Sequence, residues 1–454
     1  MDNRKPIEMK NSKTRTDQQY VAPSLESRSR REFLKSSTVL ASAAVSGALS
    51  LQSRIYAAGS DTIRVGMIGC GGRNSGAAAQ ALTADPGNRL VAMCDIFMDR
   101  VKGKRDVLRE MKKEQVAVDD DHCFAGFDGY KKVIDTSDVV LIANAAKFHP
   151  LHVITATSAG KHVFVEKPHG IDPAGIKVME QAAEMAQNKG LCLVSGLHSR
   201  YHTGYQEIVK RIHDGVIGEI VTMEENFLRA PYVVIERKAG LSEVQWQCST
   251  QYHFRWLSGD DVVQSLVHNL DRASWVMQNE VPVKCHGLGG RSSMTEPIYG
   301  DVFDHHSVVY EFANAVPIYA FCRTTTGCYN EYSSIVQGSK GKADIMGCRI
   351  WGETDWQWKG RCNPHQEEHN VLFKAIRSGN PINNGDYMTR STLVAIMGQM
   401  SCYTGEKVTW DQINQSNYCY SPKPQDCHDG MESPVKLGKN SSYAVPKPGF
   451  TKMI

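Results

Sequence analysis

A glycine-rich turn stands near the start of the 454-residue chain, between an apolar run and an alanine-rich stretch. Residues 62–68 predict a short strand, Gly69-Cys70-Gly71-Gly72-Arg73-Asn74 follow, and residues 75–84 predict a helix. Backbone N–H groups at a helix N-terminus bind pyrophosphate, and glycines let it approach. Although Asn74 takes the place of the third glycine in G-x-G-x-x-G, we expect residues 69–74 to hold the phosphates of a dinucleotide.

An acidic residue follows the second predicted strand, residues 90–94. Asp95 lies about 20 residues beyond the turn, where a carboxylate binds the ribose hydroxyls of adenosine and repels a 2′-phosphate. This spacing favours NAD. Arg100, close by, keeps NADP open as the less favoured cofactor.

The chain around these motifs alternates between the two secondary-structure types. Further strands are predicted at 139–143, 162–165 and 191–195, with helices at 151–159 and 172–189. We therefore expect an α/β Rossmann domain at 59–197, with ligands bound at the carboxyl ends of parallel strands. Longer alternating runs from residue 198 predict an α+β domain with a mostly antiparallel sheet to 420. The proline-rich residues 421–454 predict an extended C-terminal arm.

Two further motifs carry a family resemblance. Glu166-Lys167-Pro168 ends a predicted strand, and Val267-His268-Asn269-Leu270-Asp271 follows about a hundred residues later. With the glycine turn, Asp95 and His149, they resemble the glucose–fructose oxidoreductase, inositol dehydrogenase and rhizopine-catabolism (Gfo/Idh/MocA) family over residues 61–411. The resemblance implies a nicotinamide-dependent oxidoreductase with a small carbohydrate substrate, assembled as a dimer or tetramer.

The family's reacting pair corresponds to Lys167 and His268. Removing a hydride from a carbinol carbon requires a base for the hydroxyl proton, and histidine titrates in the working pH range. Lys167 can polarise the oxygen. Gln264 stands where many members have an aspartate, and it can hydrogen-bond a sugar hydroxyl but cannot share a proton.

Other positions carry over from the same resemblance. Cofactor contacts are expected from Asn144, His149, Glu166 and Lys167. Substrate contacts are expected from His198, Arg200, Tyr201, Arg255, Trp256, Gln264, Asn269 and Asp271. The histidines near Cys362 and Asp304 include plausible metal ligands, but the first cluster lacks a fourth spaced ligand, and we expect no metal site.

The N-terminus resembles a twin-arginine (Tat) export signal. Ser29-Arg30-Arg31-Glu32-Phe33-Leu34-Lys35 precedes a mildly apolar stretch at 36–51, which is shorter than the about 20 residues that span a bilayer. We expect residues 1–58 to be signal and leader, with a mature start near Gly59. The resemblance implies export of the folded protein by the Tat machinery to a periplasmic or other extracytoplasmic location.

The net positive charge of the chain comes from that N-terminal segment. The chain has 52 Lys and Arg against 49 Asp and Glu, but residues 1–58 hold ten basic and five acidic side chains, so the remainder carries −2. A net charge this small does not support sequence-independent electrostatic binding to a phosphate backbone, which argues against a nucleic-acid partner.

Export constrains the function, because an exported enzyme must bring its dinucleotide and regenerate it in place. The leading hypothesis is an oxidoreductase acting on a sugar, glycoside or polyol with a tightly bound, recycled cofactor. One alternative is a redox-neutral glycoside-cleaving enzyme that oxidises, eliminates and reduces. Another is a non-catalytic sugar-binding protein.

Overall fold

The structure, a computed structural model, describes residues 62–232, 234–439 and 441–453. The predicted Tat signal and its cleavage point lie outside the described residues. Within the described ranges, no helix combines the length and apolar character needed to cross a membrane.

The first sheet is parallel throughout and has the strand order β3-β2-β1-β4-β5-β6. Its strands are β1 Ile63–Ile68, β2 Asn88–Asp95, β3 Cys123–Ala125, β4 Val139–Ile142, β5 His162–Val165 and β6 Leu193–Ser195. This order reverses direction at β1, which is where doubly wound sheets bind dinucleotides. The predicted α/β Rossmann class is confirmed.

Helices cover both faces of this sheet, so its strands read as apolar runs such as the fully buried Val-Val-Leu-Ile of β4. They are α1 Gly72–Ala84, α2 Met98–Met111, α3 Gly129–Thr136, α4 His149–Ser158 and α5 Pro173–Asn188. Helix α1 begins three residues before the predicted start, because the glycine turn itself enters the helix. The Asp172 side chain caps α5 by accepting from the Gly175 N–H at 2.8 Å.

The second sheet has the order β14-β13-β12-β11-β7-β10-β9-β8-β15. Its strands are β7 Ile220–Arg229, β8 Lys284–Gly290, β9 His305–Glu311, β10 Pro317–Thr324, β11 Glu331–Gly338, β12 Gly341–Asp344, β13 Arg349–Gly352, β14 Trp356–Gln357 and β15 Val408–Thr409. Strands β7 and β10 pair in parallel and the other pairs are antiparallel, which confirms the predicted mostly antiparallel sheet.

Helices lie against the inner face of this sheet and between the two domains. They are α6 Thr203–His213, α7 Glu243–Ser249, α8 Arg255–Ser258, α9 Val267–Val276, α10 Pro364–Ser378, α11 Gly385–Thr404 and α12 Trp410–Gln415. A π-helical turn, Val262–Leu266, leads directly into α9. Helix α10 returns to the first domain and packs against α1, so late parts of the chain contribute to the first domain's surface.

The C-terminal arm, residues 421–453, has little regular structure but is anchored along the protein. Cys427, Tyr443 and Met453 are buried. The Gln247 side chain donates to the Val435 carbonyl at 2.7 Å, and the Tyr443 hydroxyl bonds to Glu243 of α7. The arm is thereby held beside α7.

Candidate active site

The glycine turn leaves an open cradle at the N-terminus of α1. Gly69 has a φ of +89°, and a Cβ there would lie 2.8 Å from the Asn144 backbone, so only glycine fits. A Cβ on Gly71 or Gly72 would meet nothing within 4 Å, and no side chain caps α1. The cradle therefore fits a pyrophosphate held by backbone N–H groups.

Asp95 closes the turn from the end of β2. Its Oδ2 accepts the Cys70 N–H at 2.8 Å, and its Oδ1 lies 3.5 Å from Nη1 of Arg100. The Arg100 guanidinium lies 4.9 Å from the centre of the Phe97 ring. The position fits adenosine ribose recognition, with an arginine at the same edge.

A cleft of about 670 Å³ opens from this cradle. Predicted residues Gly69, Gly71, Asp95, Arg100 and Asn144 line it, together with apolar Phe127, Tyr130, Phe148 and Cys248. The Oδ1 atom of Asn144 is buried without a hydrogen-bond partner. An unpaired acceptor beside a phosphate cradle and apolar walls fits a dinucleotide.

Two predicted cofactor residues face inward instead. Asn74 is fully buried, and its Nδ2 donates to the carbonyls of Ile68 and Gly69 at 2.8 and 2.9 Å. His149 lies between the Asn144 and Pro168 carbonyls, at 3.0 and 2.7 Å. Both side chains hold the backbone of the cleft rather than face into it. His149 fixes the strand ends that carry Asn144 and Lys167.

Arg73 joins the turn to two carboxylates. Its Nε bonds to Oε1 of Glu166 at the end of β5, and its Nη2 donates to Oε1 of Glu368 on α10 at 2.8 Å. Burial and then Glu166 raise the pKa of the fully buried Glu368, and Arg73 opposes that rise. The Arg73 bridge, defined as Arg73 with Glu166 and Glu368, ties the cradle, β5 and the later helix together.

Lys167 reaches from the first domain to the turn that precedes His268. The Lys167 Nζ donates to the Gln264 carbonyl in the π-helical turn at 2.6 Å, four residues before His268. Burial lowers the pKa of His268 well below its usual value, and the Lys167 ammonium is the largest charge contribution to that shift. His268 is therefore a neutral base at neutral pH, and its buried Nδ1 has no partner. Gln264 thus holds Lys167 through its backbone carbonyl, and the sugar contact predicted for its side chain stays a prediction.

Two more histidine rings surround this pair. His198 lies 4.8 Å from His268 and 4.2 Å from His365, measured between ring centroids. Burial and then His365 lower the pKa of His198, so these rings stay neutral near neutral pH. No group of three or more His, Cys, Asp or Glu side chains in the described ranges could hold a metal ion.

The other predicted substrate residues have partners inside the protein. Arg200 pairs with Asp271 at 2.8 Å, and Arg255 pairs with Asp301 at 2.9 Å. The Tyr201 hydroxyl donates to Asn384 at 2.7 Å, and the Trp256 ring N–H donates to Gln247 at 2.7 Å. The Asn269 amide donates to Glu225 at 3.0 Å. These side chains position helices and strands around the site. The atoms named in these contacts are engaged inside the protein, whereas Oδ1 of Asn269 is buried without a hydrogen-bond partner.

Sequence reasoning missed three contributors to the site. Glu368 completes the Arg73 bridge, His365 joins the histidine cluster, and Arg272 lies one helical turn after His268. The spacing of four residues between His268 and Arg272 is a helical signal that could have identified the arginine. Nothing local in the sequence pairs Arg73 with Glu368, which is 295 residues away.

A doubly wound domain with this cradle and acidic strand end defines a dinucleotide-binding protein whose second domain completes the site. Residues 63–195 match the family model of the Gfo/Idh/MocA oxidoreductase family, NAD-binding Rossmann fold. The match covers the doubly wound first domain. The predicted cofactor class is confirmed.

Similar proteins support the same family. The chain is 33% identical over 159 residues to inositol 2-dehydrogenase/D-chiro-inositol 3-dehydrogenase of Halalkalibacterium halodurans, covering 35% of this chain and 42% of that protein. It is 28% identical over 171 residues to glycosyl hydrolase family 109 protein 1 of Bacteroides fragilis, covering 37% and 35%. These matches span well under half of each relative. The fold resembles that of myo-inositol 2-dehydrogenase from Lactobacillus plantarum with a TM-score of 0.59 and 20% identity, over 77% of this chain and 99% of that one.

Replacing Asp95 should change the cofactor preference. We expect Asp95→Ala to weaken NAD binding at least about tenfold, the loss typical of a hydrogen bond to a charged group. NADP affinity should fall less, because the 2′-phosphate no longer meets a carboxylate and Arg100 remains. Titration of cofactor-stripped protein with each dinucleotide gives the ratio of dissociation constants. Asp99→Ala, which removes an exposed carboxylate from the first turn of α2, is the control. An unchanged ratio in Asp95→Ala would contradict the assignment.

Proposed function

We propose that the protein is an NAD-dependent oxidoreductase that acts on a sugar, glycoside or polyol by hydride transfer. The observation that carries the proposal is the hydrogen bond from Lys167, at the carboxyl edge of an NAD-binding sheet, to the turn that leads into His268, whose pKa the Lys167 charge lowers. A neutral histidine and an ammonium at one point supply the proton acceptor and the polarising cation that alcohol oxidation needs.

His268 takes the hydroxyl proton of the substrate. Its depressed pKa keeps the ring neutral, and its unpartnered Nδ1 gives a site for hydrogen bonding. In the reverse direction the protonated ring returns the proton to the carbonyl oxygen. The same histidine therefore serves both directions of the reaction.

Lys167 holds the oxygen of the reacting carbon. One of its N–H bonds is used by the Gln264 carbonyl, which fixes the ammonium while its other N–H groups can point to substrate. Glu166 accepts the Lys167 backbone N–H at 3.1 Å and bonds to Arg73, which steadies the strand end. When bound, the nicotinamide supplies the hydride acceptor and donor.

Substitution of the reacting pair separates chemistry from binding. We expect Lys167→Ala and His268→Gln each to lower kcat by about 10²- to 10⁴-fold, the usual contribution of positioned proton transfer. Sugar affinity should stay within a few-fold. Lys131→Ala, an exposed lysine of α3, is the matched control. Full turnover in Lys167→Ala would remove this mechanism.

The acid limb of the wild-type kcat/KM profile should lie below pH 6.5. Protonation inactivates the base, and the lowered pKa of His268 keeps it neutral to a lower pH than an ordinary histidine. If protonation of His268 produces this acid limb, the limb is absent from the kcat/KM profile of His268→Gln. A limb above pH 6.5 would contradict the role.

We further propose that the cofactor is tightly bound and recycled, as export by the Tat pathway to an extracytoplasmic location requires. The C-terminal arm supports tight binding. Asp429 of the arm approaches Gly126 at the cleft rim, where a Cβ on Gly126 would lie 2.6 Å from the carboxylate. Arm residues Pro424, Gln425 and Cys427 border a depression shared with cleft residues Phe127, Phe148 and His152. The arm is placed to slow release of the adenosine end.

Removing residues 424–454 should therefore speed cofactor loss. We expect the NAD retained per chain after gel filtration to fall from near one in the wild type to a small fraction. The control is Lys436→Ala, which breaks only an exposed ion pair within the arm. Equal retention in the truncated and full-length proteins would contradict the role of the arm, provided circular dichroism shows both folded.

Similarity to a glycosyl hydrolase family 109 protein favours a second candidate, a redox-neutral glycoside-cleaving enzyme. It would use the same Lys167 and His268 to oxidise the sugar, eliminate the aglycone, add water across the resulting double bond and reduce the carbonyl again. The two candidates differ in what they need. Aglycone release from a chromogenic glycoside, without added NAD or acceptor, supports the glycosidase. If no aglycone is released and reducing equivalents are transferred to a second sugar, the result supports the oxidoreductase.

Homo-oligomer formation is also proposed, through the outer face of the second sheet. That face exposes Leu288 of β8 and Tyr319 of β10, at 76% and 42% of their surface. Large apolar side chains on an uncovered sheet favour association with another copy.

A further inference from the structure

Arg272 is a buried cation that forms no ion pair with any carboxylate in the described ranges. It is 4% exposed, and its Nη1 and Nη2 donate only to the Ser199 hydroxyl at 3.2 Å and the Met346 sulfur at 3.5 Å. Its Nε is buried without an acceptor. A guanidinium stays protonated in proteins, and neither a hydroxyl nor a thioether balances its charge.

Other buried arginines are paired, which shows how this chain ordinarily handles the same group. Arg229 bonds to Asp261 at 2.5 Å, and Arg105 bonds to Asp120. Burying an unpaired charge is costly, so an exception needs a reason. The exception is at the candidate active site.

Glu225 is a carboxyl group whose pKa Arg272 lowers, but the two side chains form no ion pair. Glu225 accepts from Ser334 and Asn269 at 2.8 and 3.0 Å. Burial raises the pKa of Glu225 to about 8 although Arg272 opposes the shift. Burial therefore disfavours the charged form of Glu225, its two oxygens bond to other residues, and no ion-pair contact joins it to Arg272 in the described ranges.

The surroundings of Arg272 are rich in donors and poor in free carboxylates. It follows His268 by one turn of α9, and its charge helps lower the pKa of both His268 and His198. The Nδ1 atoms of these two rings are buried and unpartnered. Glu166 and Glu368 are both engaged by Arg73, and Lys167 adds a further cation.

We propose that Arg272, with His198, binds a negatively charged substituent of the sugar substrate, a carboxylate, phosphate or sulfate group, beside Lys167 and His268. This inference rests on the proposed oxidoreductase function and narrows its substrates to anionic sugars. A planar guanidinium matches the geometry of such oxyanions. The anion is not a cofactor phosphate: the cradle follows β1 and Asp95 ends β2, whereas His198 follows β6, three strands and about 14 Å beyond β1.

The first test uses sulfate and thermal unfolding of the full NAD-loaded protein at constant ionic strength. Sulfate stabilises most proteins somewhat, so the comparison is between variants. We expect a concentration-dependent rise in Tm for the wild type that is larger than in Arg272→Met. Arg105→Met, in which a paired buried arginine of α2 is removed, should keep the full sulfate response. Without sulfate, Arg272→Met should not lower Tm, because it removes an uncompensated buried charge.

The second test compares matched sugars by titration calorimetry and by reduction of bound NAD. The pairs are glucuronate with glucose, galacturonate with galactose, and glucose 6-phosphate and glucose 6-sulfate with glucose. We expect an anionic sugar to bind at least about tenfold tighter than its neutral counterpart, and Arg272→Met to abolish the difference, whereas Arg272→Lys retains part of it. The pair that responds identifies the anion.

The outcomes separate this inference from the function on which it rests. If neutral sugars reduce bound NAD, anionic sugars have no advantage, and Arg272→Met lowers Tm, then Arg272 is structural and the anion site is overturned while the oxidoreductase stands. If sulfate and an anionic sugar bind through Arg272 but no sugar alters bound NAD, the anion site stands and the proposed function fails.

Discussion

The Arg73 bridge is the contact on which the arrangement of the site depends. One guanidinium at the start of α1 satisfies a carboxylate at the end of β5 and another, wholly buried, on α10. Arg73 opposes the rise that burial causes in the pKa of Glu368, and turning it away would remove its hydrogen bonds to both carboxyl groups. The phosphate cradle, the strand that carries Lys167 and a helix from the end of the chain are therefore fixed relative to one another.

The reacting pair follows from that constraint. With β5 held, Lys167 can reach only a short distance, and it meets the Gln264 carbonyl of the π-helical turn. This turn runs directly into α9, which presents His268 and Arg272 on successive turns. The His149 ring also joins the segments that follow β4 and β5, through the carbonyls of Asn144 and Pro168. Buried polar contacts thus fix the substrate-side residues relative to the cofactor domain.

Local patterns predicted the first domain well because each of its signals lies within a few residues. The glycine turn, the apolar β4 and Asp95 at the end of β2 are read from spacing alone, and the strand order places them together. Residues of the second domain were harder. Arg200 and Asp271 each look like sugar ligands in isolation, but they are bonded across 71 residues of sequence. Residue type does not distinguish a polar group facing a cleft from one satisfied in the interior. Conversely, Arg272 is buried without a carboxylate partner among the described residues, and only the fold reveals that.

A double-mutant cycle between Arg73 and Glu368, read out as the dissociation constant for NAD, tests the central claim most directly. Arg73→Met leaves two neighbouring carboxylates beside the phosphate cradle, so NAD binding should weaken strongly. Removing Glu368 as well, in Arg73→Met/Glu368→Met, should restore part of the affinity, with a coupling free energy of at least about 1 kcal/mol, within the range found for contacting residues. Effects that simply add, or a double variant that binds NAD more weakly than Arg73→Met, would contradict the account.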